Sequence, residues 1–159
     1  MNVQILTGDL LDQKVDVIVN AWNQNIIPWW LLSPHGVSKA IKNRAGNLPF
    51  HELARYGKLQ LGQAILTNAG QLPFQGIIHV AGINLLWKAS KASIQDSVRN
   101  AIDVAKENGF RSIAFPIIGS GSGNFNEEQA LKYMNKALDN IVYDGLVIFV
   151  RYANEKANK

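Results

Sequence analysis

Short apolar runs alternate with longer amphipathic segments along the chain. The apolar runs predict strands. They cover Val3–Leu6, Val15–Val19, Leu61–Asn68, Ile77–Ala81, Ser112–Ile118 and Leu146–Tyr152. The run at Val15–Val19 is continuous, which is typical of a strand that is covered on both faces of its sheet.

Helical spacing of apolar residues marks several segments between these runs. One helix is predicted over Val37–Ala45. A longer helix is predicted over Ser93–Asn108, where Ser93 and Asp96 resemble a capping box. A third helix begins after Asn126, which can act as its N-cap. Its inward positions are Leu131, Met134, Leu138 and Ile141.

The order of these elements indicates the fold class. Strands that alternate with amphipathic helices are typical of an α/β sandwich with a largely parallel central sheet. A length of 159 residues fits one domain, so we expect a single domain over residues 1–159. Ligands bind such sheets at the carboxyl ends of the strands. Three of these ends are expected at Asn20, Ile118 and Tyr152.

Composition excludes several kinds of chemistry. The absence of cysteine excludes disulfides, thiolate zinc sites and a cysteine nucleophile. His35, His51 and His79 are scattered without metal-ligand spacing, and His79 is expected to be a core histidine. We therefore expect neither a metal nor a cofactor. The apolar runs are shorter than the roughly 20 residues of a membrane-spanning helix, and no secretory signal is visible, so a cytoplasmic location is expected.

The basic charge of the chain favours anionic partners. The net charge is +4, and the basic residues spread from Lys14 to Lys159 without a block. An ordinary solvated surface has the same appearance. The charge therefore leaves two interpretations open: an ordinary solvated surface, or weak affinity for nucleic acid.

A glycine-rich segment, "FPIIGSGSGNFN" at residues 115–126, joins a predicted strand to a predicted helix. Its alternate glycines let the backbone approach a ligand closely, and successive N–H groups can face one anion. A diphosphate is the natural ligand, and a flexible turn is the alternative. The segment differs from the P-loop, from G-x-G-x-x-G and from the esterase motif. Ser120 and Ser122 lack His and Asp partners, so we interpret them as backbone donors.

Two asparagines follow the second predicted strand. Asn20 and Asn23 carry amides that can donate and accept hydrogen bonds. Such groups can hold a ribose hydroxyl or orient a water. Asparagine is also a common turn residue, so both interpretations stay open.

Several segments match, in order, the motifs of one known family. They are "TGDLL" at 7–11, "VDVIVNAWN" at 15–23, "GVSKAIKNRAG" at 36–46, "IIHVAG" at 77–82 and "IAFPIIGSGSGNF" at 113–125. Together they resemble the macro domain, whose members bind ADP-ribose and in many cases hydrolyse ADP-ribosyl linkages. The resemblance implies a three-layer α/β/α sandwich with a central mixed, largely parallel sheet.

The resemblance also implies roles for individual residues. Asp9 would accept a hydrogen bond from the adenine amine, the Leu10 N–H would meet the ring, and Tyr152 would stack on it. Asn23 would lie beside the distal ribose, with Asn20 and His35 as further catalytic candidates. The diphosphate and distal ribose would contact Gly36, Val37, Ser38, Gly119, Ser120, Gly121, Ser122, Gly123, Asn124 and Phe125.

The chain departs from the family pattern at three places. Ser38 occupies the position of an aspartate that many hydrolytic members are thought to use to activate water. A neutral hydroxyl is a poor general base, so the enzyme interpretation is weakened. Gly123 stands where members commonly have an aromatic residue, which Phe125 or Trp30 would have to replace.

The third departure is the insertion "IIPWWLL", which places Trp29 and Trp30 in a connection. The two rings could form a lid that excludes water from the distal ribose. Alternatively they pack on the edge of the sheet and anchor a long loop. His35, which follows them, could donate to phosphate or be an ordinary solvated histidine.

These features support more than one function. The first hypothesis is a metal-independent ADP-ribosyl hydrolase, active on ADP-ribosylated protein or nucleic acid or on O-acetyl-ADP-ribose. The second is a non-catalytic reader of ADP-ribose, which Ser38 favours. A single-stranded nucleic-acid binding module ranks below both. In each case we expect a monomer without membrane partners.

Overall fold

A computed structural model describes residues 1–31, 36–121, 123 and 125–153 of the protein. Within these residues, one six-stranded sheet has the order β1-β6-β5-β2-β4-β3. Its strands are β1 (Asn2–Gly8), β2 (Val17–Trp22), β3 (Ala64–Thr67), β4 (Gly76–Ala81), β5 (Ser112–Pro116) and β6 (Leu146–Tyr152). Neighbouring strands run parallel except β3 and β4, which are antiparallel. The predicted mixed, largely parallel sheet is confirmed.

Helices cover both faces of this sheet. They are α1 (Gly36–Ala45), α2 (Leu48–Ala54), α3 (Lys91–Glu107) and α4 (Glu127–Ala137), with a 3₁₀ helix at Leu10–Asp12. One buried core joins the sheet to α3 and α4, and a second joins it to α1 and α2. The fold is therefore the three-layer sandwich that the resemblance implies. In the described part of the chain, no helix has the length and apolar character needed to cross a membrane.

Strand β6 shows why the core strands are apolar throughout. Alternate side chains of a strand point to opposite faces. Val147 and Phe149 belong to the core under α3 and α4, whereas Ile148 and Val150 belong to the core under α1 and α2. A strand covered on both sides therefore needs apolar residues at consecutive positions.

The start of α3 differs from the sequence prediction. Ser90 is the N-cap, and its hydroxyl oxygen accepts from the Ser93 N–H at 3.0 Å. The Ser93 hydroxyl oxygen accepts in turn from the Ser90 N–H at 2.9 Å. The predicted capping box of Ser93 with Asp96 is wrong because the helix begins at Lys91, which makes Ser93 its third residue.

The start of α4 follows the prediction, and its end does not. The side chain of Asn126 accepts from the Gln129 N–H at 3.1 Å and caps the helix. The helix ends at Ala137. Leu138 and Ile141 therefore lie beyond it, where they still pack partly buried against the first core.

Polar contacts of Asp16 join three strands at the edge where they begin. Its carboxylate accepts from the Arg111 N–H at 2.7 Å and from the Gln75 side chain at 3.0 Å. The Asp16 N–H donates to the Ser112 hydroxyl at 2.8 Å. These residues stand at the amino ends of β2, β4 and β5. The opposite edge, where these strands end, carries the cavity.

Candidate functional site

A cavity of about 730 Å³ opens at the carboxyl ends of β2, β4, β5 and β6. This volume is in the usual range for a pocket that holds a small ligand. Several residues that the sequence analysis selected line it together. They are Asn23, Gly36, Val37, Ser38, Gly119, Ser120, Gly121, Gly123 and Tyr152.

Other selected residues lie outside the cavity wall. The Asp9 carboxylate caps the 3₁₀ helix by accepting from the Leu11 N–H at 2.8 Å, and Leu10 is buried in the second core. Phe125 packs on Tyr133 with ring centroids 5.8 Å apart. His35, Ser122 and Asn124 lie outside the residues that the structure describes.

The two tryptophans of the insertion face different surroundings. Trp29 packs against the second core and meets the His51 ring edge-on at 4.7 Å between centroids. The Lys42 ammonium donates to the Trp29 carbonyl at 3.1 Å. Trp30 is 66% exposed, and neither ring lines the cavity. The packing alternative therefore accounts for Trp29, and the lid hypothesis has no support in this arrangement.

The glycine loop after β5 presents backbone to the cavity. Gly119 has a φ of +86°, a conformation that side chains rarely adopt. The Ser120 hydroxyl donates to the Ile117 carbonyl at 2.9 Å, and its N–H makes a longer bond of 3.4 Å to the same oxygen. Among the described residues, no group accepts from the Gly121 N–H. Ser120 therefore supports the turn, and the Gly121 N–H is available as a donor.

The first residues of α1 provide the facing donors. Gly36 and Val37 belong to the first turn of a ten-residue helix and line the cavity. First-turn N–H groups lack partners within a helix, and the helix dipole adds partial positive charge at this end. Within the described chain, neither N–H has an acceptor. The arrangement suits an anion with several oxygens, such as a diphosphate.

Asn23 enters the cavity wall as a hydrogen-bond donor. Its side-chain oxygen accepts from the Asn25 N–H at 2.7 Å. This bond fixes the orientation of the amide and leaves its NH₂ group as the available donor. Asn23 can therefore donate to a ribose hydroxyl or to a bound water.

A chain of hydrogen bonds connects the cavity wall to the core. The Ser38 hydroxyl donates to the Asn20 side-chain oxygen at 2.7 Å. The Asn20 amide nitrogen lies 3.0 Å from His79 Nδ1, and His79 Nε2 lies 2.8 Å from the Thr67 hydroxyl, with the donor at each ring nitrogen set by the tautomer. The Thr67 hydroxyl also lies 3.0 Å from the Asn68 carbonyl, which extends the series of contacts.

This series of hydrogen bonds changes the role expected for Asn20. Asn20 and His79 are both fully buried, so neither side chain reaches a ligand. Burial lowers the pKa of His79 to about 3, which keeps the ring neutral. His79 is thus a core residue, as predicted. Asn20 contacts Ser38, whose hydroxyl proton points inward because its acceptors are the Asn20 side-chain oxygen at 2.7 Å and the Ala21 carbonyl at 3.1 Å.

Replacement of Ser38 by alanine tests the hydrogen bonds between Ser38 and the buried Asn20. Ser38→Ala leaves the Asn20 oxygen, at 0% exposure, without this donor. We expect the free energy of unfolding to fall by about 1 kcal/mol, measured by urea denaturation. Ser120→Ala is the control, because the Ile117 carbonyl keeps a second donor. An equal loss of unfolding free energy in both variants would show that the Ser38 hydrogen bond to Asn20 does not stabilise the fold.

Sequence reasoning missed several cavity residues, among them Ile83, Trp87 and Glu127. Ile83 and Trp87 follow β4, and Glu127 begins α4. The Glu127 carboxylate lies 3.5 Å from the Arg151 guanidinium, which also contacts Glu128 at 2.7 Å. Arg151 thereby offsets negative charge beside an anion cavity. No local sequence signal identifies these residues, because they reach the cavity through tertiary contacts.

The described residues offer no metal site. Nowhere among them do three or more His, Cys, Asp or Glu side chains stand together.

Comparison with known proteins gives consistent matches. The family model described as Macro domain matches residues 19–134. The O-acetyl-ADP-ribose deacetylase of Klebsiella pneumoniae (strain 342) is 31% identical over 97% of this chain and 91% of its own length.

Solved structures agree with the sequence matches. A variant of the Oceanobacillus iheyensis macrodomain with ADPR has a TM-score of 0.79 and 28% identity, covering 94% of this chain and 84% of that chain. The Trypanosoma brucei macrodomain in complex with ADP-ribose has a TM-score of 0.75 and 26% identity, covering 94% of this chain and 63% of that chain.

Proposed function

The chain belongs to the macro domain family, and from that premise we propose that it binds ADP-ribose and hydrolyses O-acetyl-ADP-ribose or an ADP-ribosyl linkage. The similar Klebsiella protein is named for the first of these reactions, and similar structures hold ADPR or ADP-ribose. The cavity geometry carries the proposal for this chain.

The main observation is that N–H groups from two elements, which have no acceptor among the described residues, line one cavity. Gly121 contributes from the loop after β5, and Gly36 and Val37 contribute from the start of α1. A diphosphate carries negative charge on several oxygens, so it gains from both the N–H groups and the helix dipole. Tyr152, which is 66% exposed at the end of β6, supplies an aromatic face for the adenine.

Hydrolysis would use a positioned water. The Asn23 amide donates into the cavity, and the Ser38 hydroxyl accepts. Together they can orient a water and a sugar hydroxyl. With O-acetyl-ADP-ribose, the water attacks the ester carbonyl, the bond to the sugar oxygen breaks, and acetate and ADP-ribose leave. One proton of the water ends on the released sugar hydroxyl, and the other enters solvent because acetate is ionised at neutral pH.

A non-catalytic reader is the second candidate. Ser38 is neutral, and its proton points inward to the Asn20 side-chain oxygen at 2.7 Å and the Ala21 carbonyl at 3.1 Å. A hydroxyl in this state accepts hydrogen bonds and is a weak general base. Binding without turnover would follow if no other group activates the water.

One set of assays separates these candidates. The protein is incubated with O-acetyl-ADP-ribose, ADP-ribosylated protein and ADP-ribosylated nucleic acid, and ADP-ribose release is measured by chromatography. Asn23→Asp is the informative variant, because it keeps the oxygen that accepts from the Asn25 N–H and removes the amide donors. We expect turnover of the wild type and a loss of about 100-fold in this variant.

Each other outcome identifies a different function. Calorimetric binding of ADP-ribose without release from any substrate would establish the reader. Neither binding nor release would refute both proposals. Affinity for single-stranded nucleic acid that falls steeply with salt would instead support the binding module.

A further inference from the structure

Two aromatic residues stand at opposite ends of the cavity. Tyr152 ends β6 and Trp87 follows β4, and both line the cavity. The strands β5 and β2 lie between them in the sheet. Three strand spacings amount to about 14 Å. The cavity therefore has an aromatic residue at each end and backbone donors between them.

Trp87 has an unusual backbone conformation that its loop holds in place. Its φ is +59°, which is uncommon for a bulky residue. The Asn84 side-chain oxygen accepts from the Leu86 N–H at 2.9 Å and the Lys88 N–H at 3.1 Å. The Trp87 N–H donates to the Asn84 carbonyl at 3.0 Å. Strained residues of this kind persist where surrounding contacts fix them, and they concentrate at functional sites.

The Trp87 loop lies directly against the glycine loop. A Cβ at Gly119 would be 2.8 Å from the Ala89 Cβ, and a Cβ at Gly123 would be 3.0 Å from an Ile83 methyl and 2.7 Å from the Gly119 carbonyl oxygen. No side chain fits at residue 123 without a shift. The wall at this end of the cavity therefore includes Ile83 and Trp87.

The Trp87 indole is chemically suited to a sugar. The side chain is a large apolar surface with one polar N–H, and the residue is 40% exposed. In the part of the chain that the structure describes, its ring N–H donates to no residue. The apolar face can cover the C–H groups of a ribose while the N–H meets a hydroxyl.

We propose that Trp87 is a specificity-determining residue that contacts the terminal sugar of ADP-ribose and makes the cavity prefer ADP-ribose to ADP. This inference rests on the proposed function. If Tyr152 holds the adenine and the Gly121 side of the cavity holds the diphosphate, the sugar beyond the diphosphate reaches the end at which Trp87 lies. ADP has no group that extends so far.

Calorimetric titration with ADP-ribose and with ADP tests the inference. The first variant is Trp87→Asn, because asparagine tolerates positive φ and keeps the loop conformation without the ring. The second is Trp87→Phe, which keeps a ring and removes the N–H. We expect Trp87→Asn to weaken ADP-ribose binding about tenfold and to change ADP binding less than about twofold. Trp87→Phe should give an intermediate loss for ADP-ribose.

Leu86→Ala is the matched control. Leu86 lies in the same loop, is 73% exposed and does not line the cavity. Its substitution should leave both affinities unchanged. Thermal unfolding of each variant shows whether the fold is intact.

The possible failures are distinguishable. Equal losses for ADP and ADP-ribose in Trp87→Asn, or no loss for either, would overturn the Trp87 inference while the proposed function stands. Failure of the wild type to bind either nucleotide would overturn both.

Discussion

Gly121→Glu should weaken ADP-ribose binding about 100-fold while the protein stays folded. A Cβ at Gly121 would have no neighbour within 4 Å in the described structure, and its φ is not in the positive range. The new carboxylate would enter the cavity beside the diphosphate. Two unit charges about 5 Å apart repel by about 3 kcal/mol at an effective dielectric constant of about 20. About 1.4 kcal/mol corresponds to each tenfold loss of affinity.

Calorimetry on two companion variants separates charge from size. Gly121→Gln adds the same volume without charge, and Gly121→Ala adds only a methyl group. We expect the affinities to decrease in the order Ala, Gln, Glu. If Gly121→Glu bound ADP-ribose as tightly as the wild type, the diphosphate could not lie against this loop.

The second large effect concerns stability in acid. Burial lowers the pKa of His79 from 6.5 to about 3. As the pH falls, His79 is protonated near pH 6.5 in the unfolded chain but only near pH 3 in the folded chain. Stability is therefore fully present above this window and is lost as the pH falls through it. Between pH 7 and pH 5 this linkage removes about 2 kcal/mol of unfolding free energy.

His79→Gln is the variant that isolates this effect. Glutamine has no titration in this range and carries an amide that can bond within the chain of Asn20 and Thr67. We expect it to be less stable than the wild type at pH 7, because the bond geometry is altered. Its urea midpoint should nevertheless change less between pH 7 and pH 5. A parallel decline of both proteins would show that other groups cause the acid sensitivity.

The regular elements were predictable where the local pattern is complete. Strand β6 has the predicted bounds Leu146–Tyr152, because it is apolar at consecutive positions between polar connections. Helix α2 was not predicted. Its seven residues are too few to show a clear helical period, and Pro49 falls in its first turn. Its Phe50 and Leu53 are buried only because the sheet lies beneath them.

The site was predictable only in part. Backbone donors at Gly121 and Gly36 follow from glycine spacing and from a helix start, which are local signals. Trp87 was missed because its position depends on contacts between Ala89 and the glycine loop, far away in sequence. The inward direction of the Ser38 hydroxyl depends on Asn20 and on the Ala21 carbonyl, which spacing alone does not pair with Ser38.

The fold separates the residues that hold strands in register from those that meet a ligand. The Asp16 contacts stand at the amino ends of β2, β4 and β5, and the cavity stands at the carboxyl ends. Strands of five or six residues put about 17–20 Å between these edges. Loops at the carboxyl ends of the strands can thus change in sequence without disturbing the Asp16 contacts at the amino ends. Because of this separation, loop grafting at the cavity is a route to altered substrate preference that keeps the fold intact.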